Sequence, residues 1–205
     1  MIYLSFFPFI FINLLCSNKG LWSIKAILLR EQIFLVDMNL KSELKWKDLI
    51  SPTMSPDDYL QKYGAKIESN FKSYEPNEDI LGEIKTLLKN NNEKLKIISI
   101  GADWCPDCNK NVPRMIKIIK SMGSDDIDMR ILYGIMVNAH HKKDEVAWHK
   151  RRSPPEAIDP KFALKKIPTF YFFKNNGDII GTIVENPKST LEEDILEILE
   201  KNIKF

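Results

Sequence analysis

The chain has 205 residues, 44% apolar and 28% charged, a balance suited to one globular domain with appendages and not to a disordered chain. Thirty Lys and Arg face 28 Asp and Glu, so a net charge of +2 gives no general attraction to nucleic acid or an anionic membrane. Three cysteines are too few and too unevenly spaced for a disulfide scaffold, which leaves function to local chemistry.

Residues 1–18 carry no charged side chain, and Phe6, Phe7, Phe9, Ile10, Phe11, Ile12, Leu14 and Leu15 crowd together. Two readings of residues 1–37 stand side by side: a targeting or anchoring segment, or a stretch outside the mature protein. Against the first, no basic residue precedes the apolar run and no small-x-small cleavage site follows it. The run is also shorter than the ~20 apolar residues a membrane span needs. Cys16 follows the large Leu15, which is not a lipoprotein-type context. For the second, Met38 opens the stretch MNLKSELKWKDL, which reads as an ordinary soluble start.

Residues 38–93 read as a helical extension. Ser55-Pro56-Asp57-Asp58 is a helix start, with Ser as N-cap, Pro in the first turn and acids at the positive helix end. Tyr59, Leu60, Tyr63, Ile67, Phe71 and Tyr74 follow at helical spacing until Pro76. A second start at Asn77-Glu78-Asp79 leads into Ile80, Leu81, Ile84, Leu87 and Leu88, ending at Asn90-Asn91-Asn92. Apolar stripes at this spacing are expected to pack as core; a lid over a site is the functional alternative.

A β-type run, Leu95 to Ile100, then leads into Gly101-Ala102-Asp103-Trp104-Cys105-Pro106-Asp107-Cys108, and Val112, Met115, Ile116 and Ile119 recur at helical spacing up to Gly123. The CxxC thus lies where a strand hands over to a helix. Free amides at a helix N-terminus stabilise a thiolate and favour a nucleophilic cysteine, and one turn later the second thiol can reach the first. A CxxC in this setting signals redox chemistry; a structural disulfide and half of a metal site are the other readings. Downstream, a strand is expected over Ile127 to Val137, followed by a helix. Ile167-Pro168-Thr169 then opens the strand Thr169 to Lys174, Asn175-Asn176-Gly177-Asp178 is a hairpin turn, and Ile179 to Val184 is the partner strand. Ser189-Thr190 caps a last helix through Leu191, Ile195, Leu196 and Leu199.

Over about residues 94–203 this order resembles the thioredoxin superfamily. Trp104-Cys105-Pro106-Asp107-Cys108 has the family's Trp-Cys-x-x-Cys form, Pro113 matches the proline inside its active-site helix, and Ile167-Pro168-Thr169 is similar to its cis-proline loop. The resemblance implies a thioredoxin-like α/β fold, a central mixed β-sheet flanked by helices, here with the N-terminal helical extension. It implies a thiol–disulfide oxidoreductase with Cys105 and Cys108 as catalytic residues. Cys105, the more exposed, attacks a substrate disulfide; Cys108, the more buried, resolves the mixed disulfide. Trp104, Ile167 and Pro168 would bind substrate.

Two departures matter. Family members carry a buried aspartate six residues before the first cysteine, where this chain has Ser99. Asp103 and Asp107 remain as modulators, both expected to reach solvent. Asp107 should oppose thiolate formation against the helix-end effect, which favours a reductase over an oxidase. The second departure is an insertion from Ala139 to about Pro160, with His140, His141, Trp148 and His149. Within 140–152, Lys142, Lys143, Lys150, Arg151 and Arg152 exceed Asp144 and Glu145 by three. It reads as a solvated loop or exposed helix, with a docking surface for an acidic partner as the alternative. It shows no zinc-type ligand spacing, so no metal is expected.

The sequence therefore predicts a reductive enzyme with no cofactor beyond its cysteine pair. Its expected partners are protein or small-molecule disulfides and, as electron donor, a separate reductase or small thiol. It is expected to be a cytoplasmic monomer, with membrane association or export only if residues 1–37 act as an anchor or leader. An exported oxidase or isomerase and a non-catalytic binding module are the rival functions.

Overall fold

The segment from Trp46 to Asn202 alternates short turns, four helices and four strands. In the computed structural model the described residues are 44–123, 126–142 and 145–203, all within the unit Leu40–Phe205. The apolar segment 1–37, with Cys16 and the start at Met38, lies outside them, as do Lys143 and Asp144. The elements are α1 (Pro56–Lys72), α2 (Glu78–Asn90), β1 (Leu95–Gly101), α3 (Pro106–Met122), β2 (Ile127–Tyr133), β3 (Thr169–Phe173), β4 (Ile179–Val184) and α4 (Leu191–Asn202). Short 3-10 turns occupy Trp46–Asp48 and Pro155–Ala157.

The sheet order is β2-β1-β3-β4, with β1 parallel to β2 and antiparallel to β3, and β3 antiparallel to β4. Successive strand residues face opposite sides, and all five residues of β3 are buried, so both faces of the sheet are covered. Ile97, Ile100, Phe170 and Phe172 form its middle, with Ile84, Leu88, Val112, Ile116, Ile195 and Leu199 in the same buried cluster from the helices.

The helix starts are where the sequence puts them. Asp58 N–H donates to Ser55 Oγ (3.1 Å) and Ser55 N–H returns a bond to Asp58 Oδ2 (3.2 Å), a reciprocal cap of the kind typically worth about 1 kcal/mol. Asn77 caps α2 by accepting from the amides of Asp79 and Ile80, and Thr190 pairs with Glu193 to cap α4. Gly123 ends α3 in the left-handed conformation at φ 57°.

The extension is tied to the rest along its length. Glu156, 1% exposed in the second 3-10 turn, accepts from Ile50 N–H (2.9 Å), Ser51 N–H (2.8 Å) and Ser51 Oγ–H (2.7 Å). Burial pushes its carboxyl up, but the bonds from Ser51 and Ile50 outweigh that and hold it below the ordinary carboxylate value. Met54 and Ile131 exchange two backbone bonds of 2.9 Å, so the segment before α1 pairs with the outer side of β2. Further on, Asn77 N–H donates to Glu192 of α4 at 3.0 Å.

Three sequence expectations are corrected. The strand expected to reach Val137 ends at Tyr133, because Gly134 takes φ 109° and turns the chain. Beyond it, Val137 pairs only with Trp148, as an isolated bridge. The helix expected between β2 and the proline loop does not form among the described residues. Residues 138–142 and 145–168 make turns and the 3-10 turn instead, since Pro154, Pro155 and Pro160 withhold backbone donors and break helical continuity. Nor is this insertion merely a solvated loop. Trp148 is buried, and its indole N–H donates to Leu164 O at 2.6 Å.

Candidate functional site

The site forms where β1 ends. After Gly101 the chain turns through Asp103 and Trp104, and Cys105 becomes the N-cap of α3 with Pro106 at its first position. Cys105 Sγ accepts from Cys108 N–H at 3.3 Å, which gives one of the helix's free amides a partner. The same sulfur donates to Ile167 O at 3.4 Å. Both cysteines are free thiols; Cys105 is 5% exposed and Cys108 is fully buried beneath it.

The Ile167–Pro168 peptide bond is cis. Its loop is fixed from both sides: Thr169 Oγ1 donates to Lys166 O (2.7 Å), and Glu185 N–H donates to Pro168 O (2.7 Å). Buried Asn111, one turn along α3 from the cysteines, donates to Glu185 O (2.7 Å) and Asn186 Oδ1 (3.0 Å). The cysteine helix and the proline loop therefore share an anchor at the end of β4, which holds Ile167 against Cys105.

Trp104 is 45% exposed, so it does not belong to the core. Its indole N–H donates to Ile135 O at 2.8 Å, and the next residues, Met136 and Val137, are also exposed. The insertion is laced to this strip. His149 N–H donates to Met136 O (2.7 Å), Met136 N–H to Ser153 Oγ (3.0 Å) and Asn138 N–H to Ala147 O (2.7 Å). An apolar shelf of Trp104, Met136 and Val137 thus extends from the first cysteine toward the basic residues of the insertion.

Burial pushes the Cys108 thiol well above its ordinary value; the Ala102 amide pulls the other way, while Cys105 and Asp107 add to the rise. Asp103 is exposed and Asp107 half-buried, so neither acid lies beneath the cysteines. Ser99 is fully buried, and its hydroxyl has no hydrogen-bond partner. The groups that do lie close to Cys108 are tyrosines. A Cβ on Gly101 would stand 3.0 Å from Cys108 Sγ and 2.8 Å from Tyr133 Cε1, so only glycine fits between sulfur and ring. The Tyr133 hydroxyl lies 3.0 Å from that of Tyr59, which is fully buried. In the sequence Tyr59 reads as part of a packing stripe and Tyr133 as a strand residue. The signal available there was the pair of tyrosines at 59 and 63, one helical turn apart on a face that also carries Ile67.

A family model described as thioredoxin matches residues 53–134, from just before α1 through β2, with both cysteines inside the match. Over that stretch, about two fifths of its length, the chain is similar to thioredoxins. Its mixed four-stranded sheet with flanking helices is a thioredoxin-like α/β fold. Among solved structures, it is similar to a protein of unknown function from Pseudomonas aeruginosa (16% identity, 79% of this chain and 95% of that one, TM-score 0.40). It is also similar to a thioredoxin of Arabidopsis thaliana in its oxidised state (15% identity, 60% and 90%, TM-score 0.34). A third is a thiol:disulfide interchange protein of Chlorobium tepidum (22% identity, 54% and 81%, TM-score 0.36). The search of curated proteins returns no match.

Within this thioredoxin-like domain the structure brings together Cys105, Cys108, Ile167 and Pro168, with Trp104 flanking them. Asp103 is exposed in the turn before α3, and Asp107 is half-buried in the first turn of α3. Among the described residues, no group of three or more His, Cys, Asp or Glu side chains is arranged to hold a metal, and no helix is long and apolar enough to cross a membrane.

Proposed function

We propose that this chain is a thiol–disulfide oxidoreductase that reduces substrate disulfides through Cys105 and Cys108. The observation that carries the reading is the pairing of a rim sulfur with a buried one across the first turn of a helix. Cys105 Sγ already accepts the Cys108 amide, an interaction that strengthens when the sulfur is negative, and it faces the Ile167 carbonyl at the site's edge.

In the first step Cys105 thiolate attacks one sulfur of a substrate disulfide; that S–S bond breaks, and the released substrate sulfur takes up a proton. In the second, Cys108 loses its proton and attacks Cys105 Sγ. The mixed disulfide breaks, the remaining substrate sulfur is protonated, and the Cys105–Cys108 disulfide holds the oxidising equivalents. Trp104 supplies an apolar wall, and the backbone at Ile167 and Pro168 supplies groups to pair with an extended substrate. Asp107 disfavours negative charge on Cys108, which destabilises the ionised dithiol and favours the reducing direction.

The cysteine pair is the whole redox centre in this reading, without an organic cofactor or metal. Electrons return from a separate reductase or a small thiol, and substrates are protein or small-molecule disulfides met by a cytoplasmic monomer. Turnover of a small neutral disulfide with dithiothreitol tests the reading. Wild type should turn over and Cys105→Ser should fall to the uncatalysed rate; equal rates would end the proposal.

A further inference from the structure

The resolving step requires negative charge on Cys108, the most buried sulfur of the site, so something must receive that charge. Backbone offers the Ala102 amide. On the side of β2 and the extension, a tyrosine pair borders this pocket. Tyr133, last residue of β2, lays its ring edge against the same Gly101 gap that Cys108 Sγ fills; its Cε1, Cζ and that sulfur stand 2.8, 3.3 and 3.0 Å from one point. Cζ is the atom that bears the hydroxyl. Tyr59, from α1, meets that hydroxyl at 3.0 Å, and Tyr59, Tyr63 and Tyr133 stack with centroids 5.1 to 5.5 Å apart.

Donor counting makes the pair unusual. Two hydroxyls carry two protons, and the hydrogen bond between them uses one. Tyr59 is wholly shut off from solvent, so its proton is best spent on Tyr133, which frees the Tyr133 proton. Among the described residues, the Tyr133 hydroxyl has no other hydrogen-bond partner. Tyr133 is half-buried, so this proton is available to a partner that arises during function.

We propose that Tyr133, oriented by Tyr59, is a positioning residue that donates its hydroxyl hydrogen bond to the Cys108 thiolate in the resolving step. This deepens the oxidoreductase reading and rests on it. Tyr133 keeps its proton throughout. Burial holds both tyrosines protonated, which makes them donors and not bases. The balance of the step is therefore unchanged: Cys108 releases its proton to solvent, its sulfur bonds to Cys105 Sγ, the Cys105–substrate S–S bond breaks, and the substrate thiolate is protonated. The other titratable groups facing Cys108 are Cys105 and Asp107 from its own helix and turn; Asp103 and Tyr63 face Tyr59.

One equivalent of an aromatic disulfide reagent releasing a coloured thiolate separates the two steps in the full-length reduced protein. The first burst of colour reports attack by Cys105, and the second reports resolution by Cys108. Tyr133→Phe keeps the ring and removes the donor. It should slow the second burst about tenfold or more, leave the first unchanged, and move the rise of the second burst with pH to higher pH. Tyr59→Phe should slow the second burst less, and it keeps the test intact if Tyr133→Phe folds poorly. A second burst that keeps its wild-type rate and pH profile in Tyr133→Phe overturns the proposal. Wild type lacking the second burst, or Cys105→Ser keeping the first, overturns the oxidoreductase reading beneath it.

Discussion

Cys105 Sγ stands 3.4 Å from the carbonyl oxygen of Ile167, a residue 62 positions later in the chain. The two sulfurs therefore have different surroundings: Cys105, 5% exposed, lies against the Ile167 backbone, and Cys108 is fully buried beneath it.

That asymmetry predicts the fate of a half-site. In Cys108→Ser the first attack proceeds and no thiol resolves the adduct. Incubation with a small disulfide should leave one substrate half bound to Cys105, seen by intact-protein mass spectrometry and removed by dithiothreitol. Adduct at another residue, or none, would contradict the assigned roles.

Alkali should destabilise the fold. Burial raises Cys108, Tyr59, Tyr133 and Tyr171 above their ordinary values of 9.0 for the thiol and 10.0 for the phenols. Above those values the unfolded chain has released protons that the folded chain still holds, so stability is full below them and falls as pH rises through them. The urea midpoint should hold steady up to about pH 8.5 and then decline to about pH 11. Tyr171→Phe should flatten part of that decline, whereas a midpoint that stays level to pH 11 contradicts the assignment.

Acid acts through Glu156. Its depressed value means that its contribution is present above the ordinary 4.5 and is lost as pH falls below it. Glu156→Gln keeps the shape but weakens three bonds to Ile50 and Ser51, and it should cost about 1–3 kcal/mol at neutral pH. The acid limb of the urea midpoint should then be shallower than in wild type. Equal slopes would show that the carboxylate is not what secures this segment.

Two glycines separate packing from site geometry. Gly181→Ala would place its Cβ 2.7 Å from Ile198 Cγ2 on α4, far along the chain from the cysteines. Gly101→Ala would press on both Cys108 and Tyr133. Each should lose about 1–3 kcal/mol by urea unfolding. Only Gly101→Ala should alter the rate at which the cysteine pair resolves an adduct; parallel effects on rate would merge the two cases.

Much of this was legible because the signals are local. Ser55, Asn77 and Thr190 each declare a helix start within four residues, and the CxxC announces its own position at a strand–helix junction. The turn at Asn176-Gly177 likewise fixes the β3–β4 register. What stayed hidden depends on distant partners. Tyr59 looks like any stripe residue until Tyr133, 74 positions away, meets its hydroxyl. Glu156 reads as one charge in a charged loop, yet it is buried because residues 105 and 106 positions earlier supply its donors. The insertion misled for a related reason: its composition suited a helix or loop, while its prolines and the burial of Trp148 decided its path.

The Met54–Ile131 bridge has a further consequence. β2 is an outer strand of the sheet, and such strands offer unpaired backbone to any passing chain. By occupying Ile131 on its open side, the segment ahead of α1 interrupts the row on which a foreign strand would have to zip. Residues that look like an appendage in the sequence thus cover part of the sheet's outer edge.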